Sequence, residues 1–318
     1  MAGAIAGTAI LKASNNSDKL HTITMTINNE CNMSCPHCYL HCKNDNRLIG
    51  QETINSIFNA KFKHIAIVGQ EPLYNQSSIE KITTIAKQAK IRDVSVSIVT
   101  NGLNLKKIPK TTIELIDYVD VSFDGGEKSY SSFRKSSFSH IIDGVNYLKD
   151  CGLKEINALH TICDSTIDFI SDCINIREFA NFSNIMFSPY LITENFGENT
   201  VNPVHLLDII NVLLTNDLFM STEEAFLLID NYHLEQDGIL PEQIESLIIN
   251  NKIEKKLRLF KHDPILNGIL RITYDDLVLS PRCSLHTKLY SQSNYYASKS
   301  NIEKCYQKLL IKEFDYAI

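Results

Sequence analysis

Six short β-rich runs alternate with segments of helical period between residues 21 and 191, and this alternation limits the possible folds more than any other feature. The runs are His21–Ile27, His64–Val68, Val94–Val99, Tyr118–Ser122, Ile156–Ile162 and Asn184–Tyr190. Between them Ile79, Ile82, Ile85 and Ala89 form one apolar helical stripe, and Ile141, Val145 and Leu148 form another. Ser77 or Ser78 is suited to cap the first of these helices and Gly152 to end the second. Strands separated by helices pair in parallel through right-handed crossovers. The predicted class is therefore α/β, a partial (β/α)6 barrel or an open curved parallel sheet over residues 21–200, preceded by an arm at 1–20. Residues 201–318 read as a helix-rich C-terminal region. Its expected helices include Leu206–Leu214 and Ala225–Ile229, and a β-like segment at Ile269–Leu279 leads into Pro281–Arg282–Cys283.

In parallel β/α folds chemistry gathers at the C-terminal ends of the strands. The first run leads straight into a cysteine cluster, and the second ends in Gly69–Gln70–Glu71–Pro72. The third ends in Thr100–Asn101–Gly102, the fourth in Asp124–Gly125 and the fifth in Cys163–Asp164–Ser165. Composition removes several functions. A net charge of -6 without a block of Lys or Arg leaves no electrostatic footprint for nucleic acid or anionic lipid. No apolar run approaches the roughly 20 residues that cross a bilayer. The apolar opening has no Lys or Arg before Lys12, so it lacks the charged start of a signal peptide. Nine cysteines, four of them within residues 31–42, suit metal ligands in a reducing compartment better than a secreted disulfide scaffold. The expected location is the cytoplasm.

The string Cys31–Asn32–Met33–Ser34–Cys35–Pro36–His37–Cys38 has the spacing C-x3-C-x2-C. With this cysteine content chance supplies about 0.007 such triplets. Iron–sulfur cubes are held by cysteine thiolates, usually four, so three ligands on one loop leave one iron open to another molecule. The competing reading is a structural zinc site completed by Cys42 or His37, although zinc sites favour cysteine pairs well separated in sequence.

This spacing after the first strand of a β/α barrel resembles the radical S-adenosylmethionine (SAM) superfamily. The resemblance implies a [4Fe-4S] cluster on Cys31, Cys35 and Cys38, with SAM chelating the fourth iron. It also implies a row of SAM contacts. His37 lies near the adenine, and Gly69, Gln70, Glu71 and Pro72 stand as a variant of the GGEP motif that meets the methionine amino group. Thr100 and Asn101 belong to a TNG turn, and Ser122 and Asp124 to an S-x-D-G segment that binds ribose or lines the substrate pocket. The implied chemistry is one-electron reduction by a flavodoxin- or ferredoxin-type donor, cleavage of SAM to a 5′-deoxyadenosyl radical, and hydrogen abstraction from carbon.

The stretch Tyr274–Cys283 resembles the entry to the SPASM or twitch extension of peptide- and sugar-modifying members. Only Cys283 and Cys305 follow, too few for an auxiliary cluster, so a degenerate extension is expected. The first substrate expectation is a ribosomally made peptide, crosslinked or epimerised. The alternatives are a sugar or nucleoside dehydrogenase or epimerase, and a non-enzymatic iron–sulfur or zinc protein. Cys163, at the end of the fifth run, and Cys283 are the candidate hydrogen donors if the reaction is an epimerisation. Passive packing is the favoured reading of Cys163, as it is of Cys151 and Cys173.

Overall fold

The computed structural model describes residues 19–38, 46–173, 181–191, 201–216, 225–254, 256–260, 268–279 and 295–316. The six expected strands form the middle of one sheet: β1 (Thr22–Thr26), β2 (His64–Val68), β3 (Ser95–Thr100), β4 (Tyr118–Ser122), β5 (Glu155–Ile162) and β6 (Asn184–Pro189). Each pairs in parallel with the next, from Thr22 opposite His64 through to Ile162 opposite Pro189. Their residues are buried almost throughout, because the sheet curves around a filled interior and is covered by helices outside.

The helices are α1 (Gln51–Asn59), α2 (Gln76–Ile91), α3 (Lys110–Ile113), α4 (Glu127–Arg134) and α5 (Phe138–Asp150). The stripes Ile79, Ile82, Ile85, Ala89 and Ile141, Val145, Leu148 face the core as expected. The cap of α2 does not. Asn75 takes that place, its side chain accepting from the Ser78 N–H at 2.9 Å, while the Ser78 hydroxyl accepts from Asn28 at 3.0 Å. Asn is as good a cap as Ser, and Ser78 is drawn inward by its partner.

The sheet extends past both ends of the expected barrel. Beyond β6 lie β7 (Ala225–Asp230) and β8 (Leu257–Phe260), again parallel, with α6 (Leu206–Thr215) before them and α7 (Asn231–Asp237) and α8 (Pro241–Asn251) between. The helix expected at Ala225–Ile229 is thus a strand. A short unbroken apolar run has no period to tell strand from helix, and here the exposed edge of β6 captured it. On the other side β9 (Ile269–Ile272) pairs in parallel with β1, and β10 (Val278–Leu279) folds back antiparallel upon it. The order is β10-β9-β1-β2-β3-β4-β5-β6-β7-β8, an open partial barrel.

The β9–β10 turn is fastened to α1. Asp276 Oδ1 accepts from the Thr53 hydroxyl at 2.6 Å and from the Ser298 N–H at 2.9 Å, just before the final helix α9 (Ile302–Tyr316). At the N-terminal ends of the strands the barrel floor is closed by buried polar groups. Asn157 donates to Asp120 Oδ1 at 2.9 Å and Asn184 donates to Asn157 Oδ1 at 2.7 Å. The open end is the other one, where the motif residues lie.

Candidate active site

The six central strands, with the loops that follow them, all contribute residues to one cavity at the C-terminal mouth, though the Cys163–Asp164–Ser165 tip of β5 is not among them. Cys31, Cys35 and Cys38 line it with His37 from the loop after β1, Gly69 and Gln70 from the end of β2, and Thr100 and Asn101 from β3. Ser122 from β4 and Leu159 and Thr161 from β5 join them, and Pro189, Tyr190 and Leu191 close the far wall. The three cysteines are partly exposed and free of disulfides. A turn bonds the Cys38 N–H to the Cys35 carbonyl at 3.0 Å, and the Met33 N–H reaches Cys31 Sγ at 3.4 Å.

Glu71 and Asp124 are fully buried and stand behind the lining rather than in it. Glu71 accepts from the Thr100 hydroxyl at 2.7 Å, the Asn101 N–H at 2.7 Å and the Leu73 N–H at 2.9 Å. It therefore clamps the tip of β3 to the tip of β2. Burial pushes its carboxyl above the usual range, and those hydrogen bonds oppose the shift only in part. Pro72 is buried beside it. Asn101, held by this clamp, donates to Asn32 Oδ1 at 2.7 Å and lies 3.8 Å from Cys31 Sγ. The clamp thus steadies the cysteine loop at one remove.

Asp124 carries a second group of partners. The Arg134 guanidinium donates from Nε to its Oδ2 at 2.6 Å, with Nη2 also at 2.6 Å, and the Thr161 N–H donates to Oδ1 at 2.9 Å. Burial alone raises the Asp124 carboxyl, but Arg134, with His37 and His160, outweighs it, and the net shift is downward. Arg134 is the residue that sequence reasoning missed. It is the last residue of α4, 6% exposed, and it lines the cavity. From there Nη1 approaches Cys35 Sγ at 3.6 Å and Nη2 approaches His37 Nε2 at 3.4 Å. Burial pushes the Cys35 thiol up, and Arg134 pulls it back. A lone Arg closing an eight-residue amphipathic helix reads as surface; its spacing from Asp124, ten positions earlier, was the one available signal.

His37 stacks on Phe133, with ring centroids 5.0 Å apart and planes at 11°. Burial, helped by Arg134 and opposed by Asp124, pushes its imidazole down to about 4, so it is neutral at physiological pH. Facing the guanidinium, Nε2 accepts, which leaves the proton on Nδ1. That atom is buried without a hydrogen-bond partner in the protein.

The residues fit the implied cofactors. Three cysteine side chains lie on one wall, a buried cation stands beside them, and an orphaned N–H belongs to the ring next to the third cysteine. Among the described residues no trio of His, Cys, Asp or Glu is gathered on a single ion.

Cys163 lies elsewhere. It is fully buried, its Sγ 3.4 Å from the Thr166 hydroxyl, packed with Phe133, Tyr190 and Val201 and absent from the cavity lining. Cys173 is buried against His160, with Sγ 3.5 Å from Nδ1. Cys283 and Cys42 lie outside the described residues. No helix among the described residues is long and apolar enough to cross a membrane.

Comparison with known proteins agrees with this geometry. Among curated proteins, the chain is 24% identical over 251 residues to the radical SAM cyclopropyl synthase TigE of Paramaledivibacter caminithermalis, covering 70% of this chain and 51% of that one. It is 25% identical over 167 residues to a probable GTP 3′,8-cyclase of Methanococcus aeolicus, covering 49% and 55% respectively. The chain thus spans about half the length of these curated relatives. In fold it is similar to Streptococcus suis SuiB bound to its precursor peptide SuiA, with a TM-score of 0.67 at 12% identity, over 91% of this chain and 65% of that one. It is likewise similar to anSMEcpe with bound AdoMet and a peptide, with a TM-score of 0.61 at 15% identity, over 93% and 82%. The Radical SAM superfamily model matches residues 25–168, from the end of β1 to beyond β5, and takes in the cysteine loop and the Gly69–Pro72, Thr100–Gly102 and Ser122–Gly125 turns.

Proposed function

We propose that the protein is a radical SAM enzyme that modifies a ribosomally synthesised peptide, forming a crosslink in preference to inverting a centre. The observation that carries this reading is the cavity. Its cysteine wall faces an apolar wall of Val68, Val99, Leu159, Pro189, Tyr190 and Leu191. When bound, the [4Fe-4S] cluster and SAM supply reductive cleavage to methionine and a 5′-deoxyadenosyl radical able to remove hydrogen from carbon.

The chain's own residues do the rest. Cys31, Cys35 and Cys38 hold the cluster. Glu71 fixes the Thr100–Asn101 turn, and Asp124 fixes Arg134 beside the thiolates. Neutral His37 offers its Nδ1 hydrogen to a ligand, and Gly69 and Gln70 give a backbone edge to the amino-acid end of SAM. The apolar wall excludes water from the reacting carbon. A flavodoxin- or ferredoxin-type donor in the cytoplasm supplies the electron.

Two features support a peptide over a nucleotide. A triphosphate needs several cations, whereas Arg134 is the one charged cation among the described lining residues, and Asp124 already pairs it. The fold likeness to proteins solved with peptides bound adds to this. The test is anaerobic incubation with SAM, dithionite and either a panel of candidate precursor peptides or GTP. A peptide product two mass units lighter, formed with 5′-deoxyadenosine, is expected. Turnover of GTP and of no peptide would reject the substrate class, and no 5′-deoxyadenosine under any reductant would reject the enzyme itself.

A further inference from the structure

The superfamily motifs leave one feature unexplained, the way the guanidinium of Arg134 is divided among Asp124, His37 and Cys35. One edge is committed to Asp124, with Nε and Nη2 both 2.6 Å from Oδ2. The remaining nitrogen, Nη1, faces Cys35 Sγ at 3.6 Å, within range of a hydrogen bond to sulfur. Asp124 cannot swing away to release the pair. Its other oxygen is held by the Thr161 N–H at 2.9 Å, and His160 Nδ1 lies 3.8 Å from it. Arg134 is also fixed through the backbone, since α4 ends on it and Lys135 turns into the left-handed region at φ 53°. The fork therefore has one orientation, its positive side toward the thiol and its counter-ion behind.

The position matters because of burial. Arg134 and Asp124 are both shielded from water, so a charge beside a thiolate is screened far less than it would be at the surface. Hydrogen bonds to cluster sulfurs and nearby charge are among the levers by which a protein sets an iron–sulfur potential. One-electron reduction makes the cluster more negative. A donor and a positive charge at Cys35 Sγ stabilise that reduced state over the oxidised one.

We infer that Arg134 is a positioning residue for electron transfer: its Nη1, oriented by Asp124, donates to the Cys35 thiolate and raises the reduction potential of the cluster before SAM binds. This rests on the cluster reading given above. A merely structural Arg134 would tie α4 to Asp124 and leave the potential alone.

The test is a redox titration of the full chain, reconstituted anaerobically with iron and sulfide, without SAM and followed by EPR of the reduced cluster. In R134Q the ratio of reduced to oxidised cluster at a given solution potential should fall at least tenfold, equivalent to about 59 mV for a one-electron couple. R134K keeps the charge without the planar fork and should recover part of that shift. R134Q leaves Asp124 buried without its cation, so the double variant R134Q/D124N removes that charge as well and should show a smaller lowering in the same direction. R134Q or the double variant with a full iron complement and the wild-type potential would overturn the inference and leave the cluster assignment standing. A shift that appears only after SAM is added would overturn it too, because Arg134 would then be acting on SAM. Wild-type protein that takes up no iron would instead refute the cluster reading on which the inference stands.

Discussion

The loop that sets Asp124 against Arg134 depends on Gly125, and Gly125→Ala tests whether that loop is as tightly determined as its geometry implies. Gly125 has φ +88°, where an L-residue with a Cβ pays about 1–2 kcal/mol. A Cβ built there would also lie 2.2 Å from the Ser129 hydroxyl oxygen, 2.8 Å from Phe169 Cβ and 2.9 Å from Ser129 Cβ. Two of these atoms are Cβ carbons, which cannot rotate away without moving backbone, so overpacking adds about 1–3 kcal/mol. The sum is a loss of about 2–5 kcal/mol. Gly152 supplies the control, since it has φ +94° and nothing within 4 Å of a built Cβ, so Gly152→Ala carries the backbone cost alone. Urea unfolding of the two variants, compared at unchanged m-value, separates conformation from collision. Relief of the clash must push Ser129 and the first turn of α4, which displaces Arg134 at its far end. G125A should therefore also retain less iron after reconstitution than G152A. Equal midpoints for the two variants would refute the steric reasoning, and a destabilised G125A with full iron retention would refute the link to Arg134.

Three further outcomes follow from the same geometry. Replacing Cys31, Cys35 or Cys38 with Ala should abolish the iron complement of about four per chain and all dithionite-dependent 5′-deoxyadenosine, whereas Cys173→Ala should keep both. Activity in the triple variant would sink the family chemistry. Glu71→Gln turns an acceptor of three hydrogen bonds into a group whose NH2 confronts at least one donor, and should cost about 1–3 kcal/mol in thermal or urea unfolding. An unchanged midpoint would show that the clamp between β2 and β3 is dispensable. Burial lowers the pKa of His160 in the fold, against the pull of Asp124. The unfolded chain therefore takes up a proton there at higher pH than the fold does, so stability should drop as pH falls through the histidine range, and His160→Phe should flatten that slope. A slope identical in the two proteins would exclude His160 as its source.

Sequence patterning and the fold agree where the signal was local. The runs His64–Val68 and Tyr118–Ser122 coincide with β2 and β4, and the other four central strands differ by one residue at one or both ends. These runs are apolar or β-branched and bounded by polar tips, which is the pattern a doubly covered parallel strand imposes. Patterning failed where pairing partners lie far apart in the chain. Ile269–Leu279 was legible as β-like, but nothing in its pattern showed that Ile269 pairs with Thr22, 247 positions earlier. The same distinction divides the site. The cysteine loop and the strand-end turns that line the cavity stood out because each is a run of neighbours in sequence. Arg134 was not, because what makes it a site residue is the burial of Asp124 and the approach of Cys35, 99 positions earlier. Glu71 and Asp124 were legible as important but not as supports, since a motif names a residue without saying which way its bonds run.

The choice between crosslinking and epimerisation turns on Cys163, and its surroundings make a definite prediction. An epimerase needs a thiol within contact of the substrate radical, opposite the face from which hydrogen was taken. Cys163 has no exposed surface, and Tyr190, which packs in the same small cluster, belongs to the cavity wall while Cys163 does not. Its Sγ instead lies 3.4 Å from the Thr166 hydroxyl, inside that cluster rather than at the cavity. Cys163→Ala should therefore cost stability, through the small cavity it opens among Phe133, Tyr190 and Val201, and leave the product unchanged. In deuterated water the wild-type product should carry no solvent deuterium on carbon and be two mass units lighter than the substrate, because the radical ends in bond formation. A wild-type product of unchanged connectivity with one deuterium at an inverted carbon, lost together with inversion in C163A, would overturn this reading. Cys163 would then have to reach the cavity by movement of Tyr190.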